Sequence, residues 1–217
     1  MKKKLLWLVA FFIVLLGAFY FFLFRDTDYY KAKLPVLTYV QNFSFTDQNG
    51  KQLAQKNMEG KVYVTEYFFT TCKGICPKMN YNMKTIYQKY KNEPDFAIIS
   101  HTCMPEVDSV PLMKAYAQSM GAGPNWFFVT GSKDSLYKMA RISYLLDNEK
   151  NNSMNIKDQF IHTQFFALVD KEGRVRGVYD GLKNYEIDKL SRDIKDLLRE
   201  TKTRSGFNNS TFSNNPN

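Results

Sequence analysis

One run of residues, Glu66–Met79 (EYFFTTCKGICPKM), constrains this chain more than any other. The stretch Lys61–Phe69, rich in Val, Tyr and Phe, predicts a central buried strand. It leads through Thr70-Thr71 into Cys72, Lys73, Gly74, Ile75, Cys76 and Pro77, and there the period changes. Met79, Met83, Ile86 and Tyr90 recur at helical spacing over Met79–Lys91, with Pro77 suited to a first turn where a missing N–H costs nothing. Two thiols four residues apart at the start of a helix lie about one turn apart, on the same side. A helix N-terminus and Lys73 favour the thiolate, the form that attacks disulfides and binds soft metals. This geometry serves copper binding or disulfide exchange, and the rest of the chain has to choose between them.

The elements around that run alternate. Asn49-Gly50, between Phe43–Thr46 and the residues after Gly50, predicts a hairpin. Phe96–Ser100 and Trp126–Val129 read as strands. Asp108 or Ser109 caps a helix over Pro111–Met120 with Leu112, Met113 and Tyr116 facing inward. Ser132 opens a helix carrying Leu136, Tyr137 and Met139, and the polar, Asn-rich Leu145–Lys157 reads as a long exposed loop leading to His162. Gln164–Val169 and Arg174–Tyr179 are strands joined by a turn at Asp170–Gly173, and Ile187, Leu190, Ile194 and Leu197-Leu198 mark a last helix ending near Glu200. This order gives an α/β class with a central mixed sheet flanked by helices. A cysteine pair between a strand and the first helix makes the thioredoxin-like fold the expected version.

At the N-terminus, Lys2-Lys3-Lys4 precede Leu5–Phe24, twenty uncharged residues that end at Arg25-Asp26. That length spans a bilayer as a helix, and the lysines place the N-terminus inside and everything after Arg25 outside. A cleaved signal peptide competes with this reading, but the apolar run is long and no small-x-small site follows it. The expected organisation is a membrane anchor over 1–25, a linker over 26–33, a thioredoxin-like domain over 34–200 and a disordered tail over 201–217, where Ser, Thr and Asn leave little to bury.

The net charge is +9, but no basic stripe interleaves with aromatics, which argues against nucleic acid. An acidic partner or an anionic membrane face would suit the charge, but ordinary solvated surface explains it better. Cys72, Cys76 and Cys103 are the only cysteines, and His101 and His162 the only histidines, so a transition-metal site has to draw largely on these five residues. Copper(I) accepts thiolate, imidazole and low coordination numbers. Cys72 and Cys76 with one histidine, such as His162 at a loop-to-strand junction, suffice for it. Zinc would need a fourth ligand and a second closely spaced pair that this sequence lacks. A redox pair remains open, although thioredoxin-type motifs place two residues between the cysteines rather than three. His101, after an apolar strand, reads as structural, and Cys103 as a small buried hydrophobe.

At these residues the chain resembles the Sco/SenC family, membrane-anchored thioredoxin-fold proteins that handle copper during cytochrome c oxidase assembly. The likeness covers roughly Leu34 to Glu200 and is carried by NFSFTDQNGK, GKVYVTEYFFTTCKGICPKM, PEVDSVPLMKAYA and HTQFFALVDKEGRVRGVYDG. The resemblance implies copper as the bound metal, Cys72, Cys76 and His162 as its ligands, and Asp108 as a residue that tunes the site from behind them. It implies a respiratory oxidase copper-site subunit as partner, a copper donor or thiol reductant upstream, and a single-pass protein of a bacterial-type inner membrane with its C-terminal domain periplasmic or extracytoplasmic. The alternative is a membrane-anchored thiol–disulfide oxidoreductase that keeps partner cysteines reduced, using Cys72 and Cys76 alone. In one place the chain departs from the family pattern. Met104-Pro105, with Cys103 beside it, stands where the family commonly has Asp-Pro.

Overall fold

A computed structural model describes residues 2–24, 34–148, 155–156, 159–161 and 163–200. The expected linker over 26–33, the tail over 201–217, His162 and most of the loop 149–158 lie outside the described residues. The N-terminal unit is one helix, α1 (Lys2–Phe24), and its stretch Lys3–Phe21 is long and apolar enough to cross a membrane.

The unit that begins at Pro35 is built on an eight-stranded sheet. Its strands are β1 (Thr38–Tyr39), β2 (Ser44–Asp47), β3 (Gln52–Ala54), β4 (Val62–Phe68), β5 (Phe96–Thr102), β6 (Trp126–Thr130), β7 (Phe165–Val169) and β8 (Arg174–Asp180). In space they run β1-β8-β7-β4-β5-β6-β2-β3. β4, β5 and β6 are parallel, and the other pairings are antiparallel. The helices are α2 (Cys76–Tyr90), α3 (Val110–Met120), α4 (Lys133–Lys138), which continues as a π-helical turn over Met139–Ser143, and α5 (Asn184–Arg199).

The two hairpins follow one local rule. Asp47 Oδ1 accepts the N–H groups of Asn49 and Lys51, each at 2.8 Å, and Gly50 takes the left-handed conformation at φ +75°. Asp170 Oδ1 does the same for Glu172 and Arg174, each at 3.0 Å, with Gly173 at φ +74°. In both, a short carboxylate satisfies the turn's amides and a glycine takes the backbone region that a side chain would resist.

β4 and β5 are buried along their whole length, which explains why the sequence reads as a continuous apolar run rather than an alternation. Alternation still assigns the faces. Phe68 stacks on Tyr116 of α3, and Tyr87 and Tyr90 of α2 meet Trp126 and Phe96. The opposite face holds the core formed by Tyr63, Tyr67, Ala97 and Ile99 with Phe45, Leu136 and Tyr144.

Two expectations need correction. Leu112 is 39% exposed on α3, where Met113 is buried; the inward stripe is narrower than the spacing suggested. The helix expected to carry Leu136, Tyr137 and Met139 is α-helical only as far as Lys138, and Met139 begins the π-helical turn. Ser132 caps it as expected, accepting the Ser135 N–H at 3.2 Å.

Candidate metal and thiol site at the end of the central strands

The site is assembled at the carboxyl ends of two parallel strands. β4 ends at Phe68, and the Cys72 N–H donates to Phe69 O at 3.2 Å, folding the chain back on itself. Cys72 is therefore outside the helix, in the turn, and only Cys76 belongs to it, as the first residue of α2 with Pro77 next. This differs from the expected pair on one helical face. The two thiols are nevertheless near enough for Cys72 to act on the protonation of Cys76, and both are free. Cys72 is half-buried and Cys76 is buried.

The expected bias towards thiolate fails at Cys76. Burial, then the hydrogen bond to and charge of Cys72, with a further contribution from Glu66, push its thiol up to about 12; a backbone hydrogen bond from Phe69 only partly opposes this. Lys73 is exposed. Desolvation outweighs the helix terminus here, so a metal or a disulfide partner has to displace the Cys76 proton rather than find it already gone.

Asp108 supports the loop from behind. It is fully buried and its carboxylate accepts the Thr70 hydroxyl at 2.6 Å, the Thr70 N–H at 3.3 Å and the Thr102 hydroxyl. The Thr102 oxygen in turn accepts the Met104 N–H at 2.9 Å, and the Asp108 N–H returns to Met104 O at 2.9 Å. Asp108 thus ties the end of β5 to the residue two before Cys72. That fits a supporting role for it, and it does not act as a helix cap. Ser109 holds the cap position of α3 without a side-chain hydrogen bond.

Cys103, one residue past β5, donates its N–H to Phe68 O at 2.8 Å. Its side chain is buried in the core on the face away from α2. Burial first, then the charges of Cys76, Asp108 and Cys72, push its thiol well above the ordinary range. His101 is buried too, with Nδ1 3.0 Å from the Thr65 hydroxyl and rings of Tyr67, Phe45 and Tyr144 around it, in keeping with a structural role.

Sequence reasoning passed over Glu66. It is fully buried on β4, accepts the Ser100 hydroxyl at 2.8 Å on Oε1, and has no protein partner for Oε2 among the described residues. Burial raises its carboxyl to about 7 against the opposing Ser100 hydrogen bond. Its charge acts on Cys76 and on Tyr116, whose hydroxyl meets Asn80 of α2. The signal was in the sequence: one carboxylate inside the otherwise uncharged run VYVTEYF.

Among the described residues, no three Cys, His, Asp or Glu side chains are grouped to hold a metal ion. His162 lies outside them, but the chain just before it is placed. Phe160 packs edge-on against Phe69 with ring centroids 5.4 Å apart.

A dithiol at the mouth of a mixed sheet, between the central strand and the first helix of the domain, defines a thioredoxin-like protein of metal or disulfide chemistry. Comparison with known proteins narrows the class. The SCO1/SenC family model matches residues 32–199, and the chain belongs to that family. It is 32% identical over 168 residues to the SCO1 protein homolog of Bacillus subtilis, a match covering 76% of this chain and 86% of that protein. Among solved structures it is similar to BsSco, described as a member of the Sco family of cytochrome c oxidase assembly proteins with a disulfide switch. That match has a TM-score of 0.66 and 31% identity, over 79% of this chain and 99% of the other. Bradyrhizobium japonicum ScoI, solved with copper bound, shares the fold at a TM-score of 0.57 and 21% identity, over 74% and 99% of the two chains. A shorter likeness, 33% over 92 residues, joins the chain to the thiol-disulfide oxidoreductase ResA of Bacillus cereus, covering 42% of this chain and 53% of that one.

Proposed function

We propose that this protein is a membrane-anchored copper carrier that holds one copper ion with Cys72, Cys76 and His162 and passes it to the copper A centre of a respiratory oxidase subunit. The observation that carries this reading is the placement of two free thiols, Cys72 in the turn after β4 and Cys76 at the first residue of α2, at the end of the central strands. Two sulfurs supply most of what copper(I) requires. Among the described residues no third Cys, His, Asp or Glu is grouped with them, and His162 is the sole histidine other than the buried His101. The packing of Phe160 on Phe69 supports its candidacy by bringing the preceding chain to the strand that leads into Cys72. Asp108 holds the cysteine loop in place through Thr70.

Delivery proceeds by ligand exchange. Incoming sulfurs or imidazoles of the acceptor replace Cys72, Cys76 and His162 one at a time, with no change in copper oxidation state, and the thiols recover their protons. The organisation that suits this task is an anchor over 1–25, a linker over 26–33, the copper domain over 34–200 outside the membrane and a tail over 201–217. Anchoring keeps donor and acceptor on one surface and raises their effective concentration.

Copper titration of the reduced full chain in detergent tests the reading. Wild type should retain one equivalent through desalting, with Cys72→Ala and Cys76→Ala retaining almost none and His162→Ala holding it far more weakly. Unchanged stoichiometry in the cysteine variants would overturn it. The likeness to ResA and the proximity of the thiols favour one second reading, a thiol–disulfide oxidoreductase acting on partner cysteines. It needs no histidine, so disulfide reduction that survives His162→Ala in a protein that binds little copper would establish it instead.

A further inference from the structure

The positive charge of the domain is concentrated beside the thiols. Between Tyr67 and Asn92 the chain carries five lysines and no acidic residue, whereas the rest of 34–200 has 17 basic and 19 acidic residues. One stretch therefore supplies the whole positive excess, and it is the cysteine loop together with α2. The inner face of α2 buries Met79, Met83, Ile86 and Tyr90. Its outer face exposes Lys78, Tyr81, Thr85 and Lys89 at helical spacing, with Lys84 half-buried at the edge. Lys73 is exposed in the loop before it.

Among the described residues none of these lysines has an acidic partner. Lys78 Nζ lies 3.5 Å from Asn184 Oδ1 and 5.7 Å from the centre of the Tyr81 ring, and Lys89 Nζ is 2.6 Å from Ser191 Oγ. Their charge is left for something outside the chain. Tyr81 and, at the start of α5 beside Asn184, Tyr185 are 66% and 63% exposed, aromatic surface of the kind that protein interfaces use. The stripe starts at Cys76, the first residue of α2, so whatever docks on it meets the thiols.

We propose that the outer face of α2 is the docking surface for an acidic protein partner, one whose metal-accepting or disulfide site is rimmed by carboxylates. This rests on the carrier reading only in taking the partner to be a protein that meets Cys72 and Cys76, which the disulfide reading shares. Cys72 is half-buried and Cys76 buried, so an acceptor has to be held in one orientation to reach them, and complementary charge supplies both steering and orientation. An anionic bilayer is the other surface that lysines and tyrosines suit. Lying flat on headgroups, however, this face would turn the thiols towards lipid and away from any acceptor.

The probes are two synthetic peptides with the same Cys-x-x-x-Cys disulfide, one flanked by glutamates and the other by lysines. Exchange with the reduced full chain in detergent opens the peptide disulfide to two thiols as Cys72 and Cys76 lose their protons and close their own bridge. At low ionic strength wild type should reduce the acidic peptide about tenfold faster than the basic one. The preference should vanish near about 1 M salt. Lys78→Glu should remove most of it, and Lys78→Glu with Lys84→Glu should reverse it, with copper retention as in wild type. Lys51→Glu, an equal change of charge at an exposed position in the β2–β3 hairpin, should leave the preference intact. Equal rates with the two peptides, no exchange with either, or an equal loss in Lys51→Glu would overturn the proposal. In nanodiscs, acetic anhydride should label Lys78 and Lys84 equally in zwitterionic and phosphatidylglycerol-rich bilayers; protection by the anionic lipid would assign the face to the membrane and overturn it as well. A wild-type chain that keeps the preference but retains no copper leaves the docking face standing and removes the carrier reading alone.

Discussion

Glu66 and His101 stand one register step apart on the paired central strands, since Glu66 lies opposite Ser100 and Tyr67 opposite His101, yet they serve opposite faces of the sheet. Both are fully buried, and each leaves one polar atom without a protein partner among the described residues, Oε2 of Glu66 and Nε2 of His101. The same desolvation drives them in opposite directions, raising the carboxyl to about 7 and lowering the imidazole to about 3. What differs is the company. His101 is enclosed by the rings of Phe45, Tyr67 and Tyr144 and anchored to Thr65, whereas Glu66 acts on Cys76 and Tyr116. The face that carries the thiols tolerates a group that ionises near neutrality, and the other face keeps its titratable group uncharged across the ordinary range.

The largest expected effect separates the two faces by pH. His101 is neutral in the fold and charged in the unfolded chain below its ordinary 6.5, so its contribution to stability is lost as pH falls from 6.5 towards 3. That loss amounts to about 5 kcal/mol at its limit. Glu66 works the other way. Its folded value is raised above the ordinary 4.5, so its stabilising share is present below 4.5 and disappears as pH rises through 7, about 3 kcal/mol in all. Between 4.5 and 6.5 the two slopes cancel. Urea titrations of Glu66→Gln should therefore show stability rising with pH through that window, and those of His101→Phe should show it falling. Parallel slopes in the two variants would break the comparison.

Next in size is Asp108→Ala, which strips the acceptor from Thr70 and Thr102. A loss of about 2 kcal/mol in chemical denaturation is expected, with weaker copper retention because the loop before Cys72 loosens. The smallest belongs to the other face. Tyr67→Phe removes a 2.6 Å hydrogen bond to Leu136 O and should cost about 1 kcal/mol, leaving copper affinity where it was. An equal effect of Asp108→Ala and Tyr67→Phe on copper would mean that the faces are not separable.

Much of this architecture was legible in the sequence because it depends on local pattern. The Val-, Tyr- and Phe-rich run into Cys72, the turns at Asn49-Gly50 and Asp170–Gly173, the Ser132 cap and the apolar stripe of α5 all describe neighbours along the chain. What was not legible depends on depth. A helix terminus beside Cys76 and a lysine at 73 argue for thiolate, but the sequence does not say how much water reaches the thiol, and burial reversed the sign. Leu112 has the right spacing to face inward, but α3 covers β6 with a narrower stripe than its periodicity offers. Tyr137 read as one apolar-face residue among three, because its hydroxyl partners lie 34 and 24 residues away in the chain. Glu66 was in plain sight and was read as part of a strand.

The sealed position of Cys103 has a chemical consequence for the whole molecule. A chain with three thiols has three ways to close one disulfide inside itself, and two of them would leave a reactive sulfur free to cross-link with strangers. Packed among Tyr67, Tyr137 and Ile161, with its backbone tethered on both sides, Cys103 is masked from oxidants and from other thiolates alike. Oxidation then has one internal product, the Cys72–Cys76 bridge, and reduction restores one starting state. With Cys103 sealed, an odd number of cysteines behaves as an even one towards any oxidation inside the chain.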